Sequence, residues 1–207
     1  MLLRYHLITN FKLFSMSTLD NPNERVDQAS VSPWPTGLRY GLILGLVLVT
    51  VSLVMSLTGL VDPANQDNPT NWIASILSYG IMIGAIVVAI RQHRDGELGS
   101  FITFGRSFFM GFIVVLIASV ISMIYTYVYF TMIEPGMIEN ILDASREKMI
   151  EGQGMDEDQA EQALSMMSWM FSPVAMTIIA GVGSLFMGAI FSLIVGAIMK
   201  RNPPEAV

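Results

Sequence analysis

The chain contains no cysteine among its 207 residues, and it has only two histidines, His6 and His93. The absence of cysteine excludes disulfides, thiolate metal sites and cysteine nucleophiles, and two histidines are too few for a histidine-rich metal site. Charge is also scarce, because 14% of the residues are Asp, Glu, Lys or Arg, against about 25% in an average soluble domain. Hydrophobic residues make up 53% of the chain. This composition is typical of membrane proteins.

Four long apolar runs contain no Asp, Glu, Lys, Arg or His, and each can cross a bilayer, which takes about 20 helical residues. With their flanking residues, the predicted spans are 38–60, 72–90, 104–133 and 174–199. The runs do not alternate between polar and apolar residues as barrel strands do. Helices are expected because they satisfy their own backbone polar groups in lipid. Thr103 is the predicted N-cap of the third span.

The segments outside the spans are polar tails and loops. Residues 1–37 contain proline and show no hydrophobic periodicity, which predicts a disordered cytoplasmic tail. The transmembrane domain is expected to cover 38–201, and 202–207 form a short C-terminal tail. Residues 1–15 show neither a targeting pattern nor an obvious structural role, so we expect translation to begin at Met16, which intact-mass analysis would check.

The distribution of basic residues predicts how the chain is threaded through the membrane. Lys and Arg accumulate on the cytoplasmic side of membrane proteins. They flank the apolar runs at one set of ends, at Arg91, Arg94, Arg106, Lys200 and Arg201. Both termini and the connection between the second and third spans are therefore expected to be cytoplasmic, in a cell (inner) membrane.

His93-Arg94-Asp95 is the tripeptide that protein kinases use in their catalytic loop. A kinase also needs a downstream asparagine, a glycine-rich loop, a strand lysine and Asp-Phe-Gly, and all of these are absent here. The tripeptide lies between two predicted spans, so we interpret its charges as topology signals. His93 is expected to be a solvated loop residue.

Three short pieces carry a resemblance to a known family: Thr103-Phe104-Gly105, the Glu134-Pro135 junction and Ser192-Leu193-Ile194 in a last helix with a basic stop. Over about 38–204 the chain resembles a bacterial membrane family catalogued as domain of unknown function 4199. The resemblance implies four transmembrane helices and an extra pair of helices between the third and the fourth. It implies no activity, cofactor or catalytic residue.

Small residues recur every four positions within three of the predicted spans, and such stripes let helices approach closely in lipid. The helix-packing candidates are Gly41, Gly45, Gly80, Gly84, Ser184, Gly188, Ser192 and Gly196. Packing inside a single four-helix bundle is the favoured interpretation, and assembly into a homo-oligomer is the alternative.

The segment 135–171 is predicted to form an extracytoplasmic hairpin of two amphipathic helices. Pro135 is expected in the first turn, and Asp156 with Gln159 resembles a capping box. The candidate partner surface consists of exposed acids, namely Glu139, Asp143, Glu147, Asp156, Glu157, Asp158 and Glu161. These acids could bind a cation or a basic partner, although a solvated face that keeps the hairpin soluble is the simpler interpretation.

Three classes of function follow from these patterns. The favoured class is a non-enzymatic membrane protein that acts through a membrane or extracytoplasmic protein partner, or through assembly in the bilayer. The alternative is a small oligomeric transporter or channel, and its solute would be neutral, because none of the four apolar runs contains the ionisable residues that mark ion pathways. A membrane enzyme is disfavoured, since the sequence shows no nucleophile–base pair or phosphate loop. No cofactor and no nucleic-acid partner are expected.

The predicted topology can be tested with single cysteines in the cysteine-free chain. We expect Ser145→Cys to react with an impermeant maleimide in intact spheroplasts. Ser100→Cys should react only after permeabilisation, because it lies in the connection expected to be cytoplasmic. The reverse labelling pattern would contradict the assignment from basic residues.

Overall fold

The computed structural model describes residues 28–62, 65 and 68–202. They form six α-helices: α1 Trp34–Leu57, α2 Pro69–Glu97, α3 Phe104–Val128, α4 Met137–Glu147, α5 Glu157–Met167 and α6 Pro173–Met199. Short π or 3-10 turns extend three of them, as Tyr129–Ile133 after α3, Lys148–Gly152 after α4 and Ser168–Phe171 after α5. Within the described residues no strand forms, and one isolated bridge joins Ile102 to Arg201. The predicted all-helical class is confirmed.

Four of these helices are long and apolar enough to cross a membrane: α1, α2, α3 with its π extension, and α6. The protein is therefore a multi-pass membrane protein. The first two helices differ in their bounds from the predicted spans. The first helix begins at Trp34, because Pro35 fits a first helical turn, where no backbone N–H is needed. The second continues past residue 90 to Glu97. Residues 1–27, including Met16, and 203–207 lie outside the described part.

Polar side chains begin three of the spanning helices. The side chains of Asn68, Thr103 and Ser172 accept hydrogen bonds from backbone N–H groups in the first turns of α2, α3 and α6. Each bond satisfies a donor that the helix itself leaves without a partner. The predicted Thr103 cap is confirmed.

The central helix of the bundle is α3. Of its apolar window 44% is buried, compared with 17–28% in the other three spanning helices. Its buried side chains include Met110, Ile113, Val114, Val115 and Ala118. The other spanning helices therefore pack around α3.

The small-residue stripe of α6 faces α3 along most of its length. The Ser184 hydroxyl lies 3.2 Å from that of Ser119. One turn on, a Cβ added to Gly188 would collide with Val115. A Cβ at Gly196 would lie 3.0 Å from the backbone nitrogen of Phe108.

The same register places Ser192 beside Gly111 of α3, where an added Cβ would lie 2.9 Å from the serine hydroxyl oxygen. Positions along α6 therefore rise as positions along α3 fall, which is the register of antiparallel helices.

The glycines of α1 pack against the other side of α3. A Cβ at Gly41 would lie 2.7 Å from Ile117 Cβ and 2.9 Å from the Val114 carbonyl oxygen. One turn later, a Cβ at Gly45 would lie 2.6 Å from Ile121 Cδ1. Positions rise together along the two helices, so α1 and α3 run in the same direction.

The predicted packing role of Gly80 and Gly84 does not hold within this chain. Both residues are exposed, and a Cβ at either would meet no atom within 4 Å. The reason is the orientation of α2, whose buried residues Met82, Ile86, Ala89, Ile90 and His93 define a different face.

The packing of α6 on α3 predicts that Gly188→Leu destabilises the bundle by about 1–3 kcal/mol, because the new side chain must push Val115 and α3 away. Thermal unfolding in detergent would measure the loss. Gly80→Leu is the matched control, since it adds the same side chain to an exposed helix position. Equal effects of the two substitutions would contradict the α3–α6 contact.

Candidate functional site

The basic residues predicted to set topology meet at one end of the bundle, where α1 begins, α2 ends, α3 begins and α6 ends. The backbones of Ile102 and Arg201 pair through two hydrogen bonds of 2.9 Å. The Arg94 guanidinium donates to the Met199 carbonyl at 3.4 Å. Arg106 lies in the first turn of α3. Lys200 caps the C-terminal end of α6, and Arg91 is exposed near the end of α2.

His93 is fully buried at this end, so the prediction of a solvated loop histidine was wrong. Hydropathy falls after residue 90, but the α2 helix does not stop there. Its last turns keep the face defined by Ile86 and Ile90 directed into the core, and His93 lies on that face. The fold thus places an ionisable ring inside the bundle, and such residues commonly mark functional sites in membrane proteins.

Four side chains from three helices form what we call the buried polar network: Thr36, Glu97, His93 and Arg106. His93 Nδ1 lies 2.8 Å from one Glu97 carboxylate oxygen. The other oxygen accepts a hydrogen bond from the Thr36 hydroxyl. Arg106 Nε donates to His93 Nε2 at 3.2 Å. The network therefore joins the first turns of α1 and α3 to the end of α2.

These contacts determine the tautomer of His93. Arginine has only donors, so Nε2 must be the accepting nitrogen. The proton of the neutral ring is then on Nδ1, from which it is donated to Glu97. His93 is a neutral bridge between a guanidinium and a carboxylate. The terminal nitrogen Arg106 Nη2 is also buried and makes no hydrogen bond.

The other two members of the predicted tripeptide do not join this network. Arg94 Nε lies 2.7 Å from the Asp95 carboxylate, and Asp95 is about half exposed. His93 therefore lies inside the network, whereas Arg94 and Asp95 pair with each other outside it, and the three side chains do not form a common site. In the described part of the chain, no group of three or more His, Cys, Asp or Glu side chains is placed to hold a metal ion.

The acidic residues lie at the opposite end of the bundle, on the hairpin formed by α4 and α5. All seven predicted partner-surface acids are exposed. Asp143 lies 3.6 Å from Arg146. Asp156 has a structural role, because its side chain and that of Gln159 form the predicted capping box at the start of α5. The capping box is confirmed.

The apolar faces of the hairpin bury three residues, Ile141 on α4 and Ala160 and Leu164 on α5. Pro135 was predicted in the first helical turn, but it lies in the turn before α4, which begins at Met137. Near the end of α5 the large side chains of Met166 and Trp169 are 75% and 65% exposed. This base of the hairpin joins α6 and presents apolar surface beside the start of that helix.

A cleft of about 780 Å³ opens between the hairpin and the connection from α1 to α2. Asp62 and Asn65 line one side, and residues between 144 and 153, the basic Lys148 among them, line the other. The second side includes Glu147 and Glu151, both exposed. The sequence does not reveal the cleft, because its two walls lie about eighty residues apart in the chain, although Glu147 on one wall was predicted as a partner-surface residue.

A smaller pocket of about 170 Å³ lies between the later turns of α1 and α3. Most of its lining surface is apolar, but five of the lining residues carry hydroxyl groups, namely Ser52, Ser56, Tyr125, Thr126 and Tyr129. Ser56 and Tyr129 hydrogen bond to each other at 2.8 Å. The buried Tyr125 hydroxyl makes no hydrogen bond of normal geometry, although Ser52 is near enough to interact with it.

Removing the Arg106 donor should leave a buried acceptor on His93 without a partner. We expect Arg106→Met to lower the free energy of unfolding by about 1–3 kcal/mol, the usual cost of such a loss. Thermal unfolding in detergent measures it. Arg91→Met serves as the control, because Arg91 is exposed near the same end. If the control is destabilised as much as Arg106→Met, the contribution of the network is refuted.

Comparison with known proteins places the chain in a family. A family model described as "Protein of unknown function (DUF4199)" matches residues 39–201. The match includes the hairpin and all four spanning helices, apart from residues 34–38 at the start of α1. No curated protein and no solved structure matches the chain. Because the family model covers well over half of its length, the chain belongs to the family of proteins of unknown function DUF4199.

Proposed function

We propose that this is a bacterial inner-membrane protein with both termini in the cytoplasm and the α4–α5 hairpin outside. The separation of charge between the ends of the bundle supports this orientation. Arg91, Arg94, Arg106, Lys200 and Arg201 lie at one end, where the positive-inside rule places the cytoplasm. At the other end, residues 134–173 contain nine acids against Arg146 and Lys148, a formal charge of −7.

The protein then acts without catalysis, by binding a partner protein at the hairpin. The observation that carries this proposal is the cleft of about 780 Å³ between the hairpin and the α1–α2 connection. The cleft combines concave shape with exposed carboxylates, and concave surfaces are where proteins bind other molecules. The exposed Met166 and Trp169 add apolar surface to the same end of the molecule.

Charge complementarity specifies the kind of partner. A cleft wall with Glu147 and Glu151, in a loop of formal charge −7, attracts a segment rich in Lys or Arg. Because these carboxylates are exposed, the attraction is screened beyond about 8 Å at physiological ionic strength. Binding should therefore weaken as the salt concentration rises.

Site-specific photo-crosslinking from Gln153 tests the cleft directly, because this residue lines it. We expect crosslinks to a partner protein in native membranes, and we expect the double variant Glu147→Gln/Glu151→Gln to lose them. The matched control is Glu157→Gln/Asp158→Asn, which removes two exposed acids from the first turn of α5, outside the set that lines the cleft.

Retention of the crosslinks in the cleft variant, or equal loss in the control, would refute docking at the cleft. A second variant replaces 135–171 by a Gly/Ser linker and should keep four inserted helices while losing every crosslink. If the crosslinks survive this replacement, the interaction site lies elsewhere, at the basic end or on the lipid-facing helices.

A neutral-solute transporter is the second candidate, and the hydroxyl-lined pocket favours it. Five hydroxyl-bearing residues around about 170 Å³ offer hydrogen bonds without charge, which suits a small polar solute. Solute flux in proteoliposomes distinguishes the two functions. Flux that falls in Tyr125→Phe supports transport, whereas proteoliposomes without flux leave partner binding as the function.

A further inference from the structure

We propose that the buried polar network is a proton-sensitive device. With His93 neutral, it holds the end of α2 against the starts of α1 and α3, and protonation of His93 releases the end of α2. The inference is independent of the partner site, which lies at the opposite end of the bundle. It rests on the bonding pattern around the ring and on the complete burial of that ring.

The hydrogen bonds around His93 are compatible with only one protonation state, the neutral ring with its proton on Nδ1. Arg106 Nε points a hydrogen at His93 Nε2, so the nitrogen must carry a lone pair. A second ring proton would occupy that position and face the guanidinium donor. Protonation therefore breaks the Arg106–His93 bond and brings two positive groups together.

The charged groups that face the ring come from two helices. Glu97 acts from α2 itself and Arg106 acts from α3. From α1 the nearest member of the network is the uncharged Thr36, which reaches the ring through Glu97. In the described part of α6, no charged group acts on the ring. Glu97 alone offsets a charge on His93, and its carboxylate is shared with Thr36.

A charged imidazolium needs water or a second acceptor, because burying an uncompensated charge is costly. His93 is fully buried, so water reaches it only if the helices around it separate. Among the spanning helices α1 has the smallest buried fraction, at 17% of its apolar window. The buried residues of α1 nevertheless lie at its start, where Gly37 and Gly41 hold it close to α3. The glycines of α2 contact no other helix, so the end of α2 is the element whose displacement costs least.

The sign of the pH dependence follows from this arrangement. Burial of the ring, together with the Arg106 donor, favours neutral His93 against the opposing effect of Glu97. The contribution of the network to stability is therefore present at high pH and is lost as the ring gains a proton. An unperturbed imidazole titrates near about pH 6.5. Because burial disfavours the charged ring, release should appear below that pH, in the mildly acidic range.

A distance measurement on the full chain in nanodiscs tests the proposal. Spin labels on Ser32→Cys, just before α1, and Gln92→Cys, near the end of α2, report the separation of the two elements. Both positions are exposed, and the chain has no other cysteine. We expect a distance distribution that shifts to longer values between about pH 7.5 and about pH 5.0, the lower value lying well below the titration of an unperturbed imidazole.

Two variants in the labelled chain separate the network from other effects of acid. His93→Gln keeps one acceptor and one donor but does not titrate, so its distribution should stay at the short distance at both pH values. Thr36→Val removes the α1 contact and should give the longer distance at both. Asp95→Asn removes the other acid at this end, outside the network, and should respond to pH as the unmodified labelled chain does.

The outcomes decide the proposal without ambiguity. A labelled chain with native His93 whose distances do not change between the two pH values overturns it. A pH shift that persists in His93→Gln also overturns it, since the titrating group is then elsewhere. If His93→Gln does not fold, the native-His93 response and the Thr36→Val distance decide, and a short distance in Thr36→Val counts against the device.

Discussion

The close approach of α1 and α6 to α3 is the contact on which the rest of the bundle depends. In lipid, helices gain little from burying apolar surface, so they associate through tight van der Waals packing. Here the branched side chains of α3 supply that packing on both of its sides. Val115 fits against Gly188, while Ile117 fits against Gly41. Neither glycine could carry a Cβ without a collision, which explains why small residues recur at those positions.

This packing also determines which segments meet at each end. Because α1 is parallel to α3 and α6 is antiparallel to it, the start of α1 and the end of α6 lie at the same end of the bundle. The Ile102–Arg201 backbone pair and the buried polar network close that end. The second helix is held less firmly, since its buried residues begin only at Met82. The glycines of α2 do not connect it to α1 or α3. His93 and Glu97 connect its last turns to those two helices, by hydrogen bonds to Arg106 and Thr36.

The spans could be predicted from the sequence because lipid imposes a length and an apolar composition on each helix separately. The Thr103 cap and the Asp156–Gln159 capping box were also predictable, since both are local in sequence. The prediction failed for His93 because the end of the apolar run is not the end of the helix. Charged residues after residue 90 end the apolar run, but α2 continues to Glu97 and buries His93. The four-residue spacing of His93 and Glu97 was the only available signal, because Thr36 lies 61 residues from Glu97.

The two ends of the bundle differ in how their charges are satisfied, and this difference separates their roles. At the basic end, Glu97 and Arg106 satisfy the two ring nitrogens of His93, so removing either of them leaves a group of a fully buried side chain without its partner. At the hairpin, the acids are exposed and solvated, so exchanging water for the charges of a partner costs little. A network whose groups bond to one another inside the protein suits control of conformation, whereas an exposed acidic cleft suits recognition. The α1–α3–α6 packing lies between these two ends of the bundle.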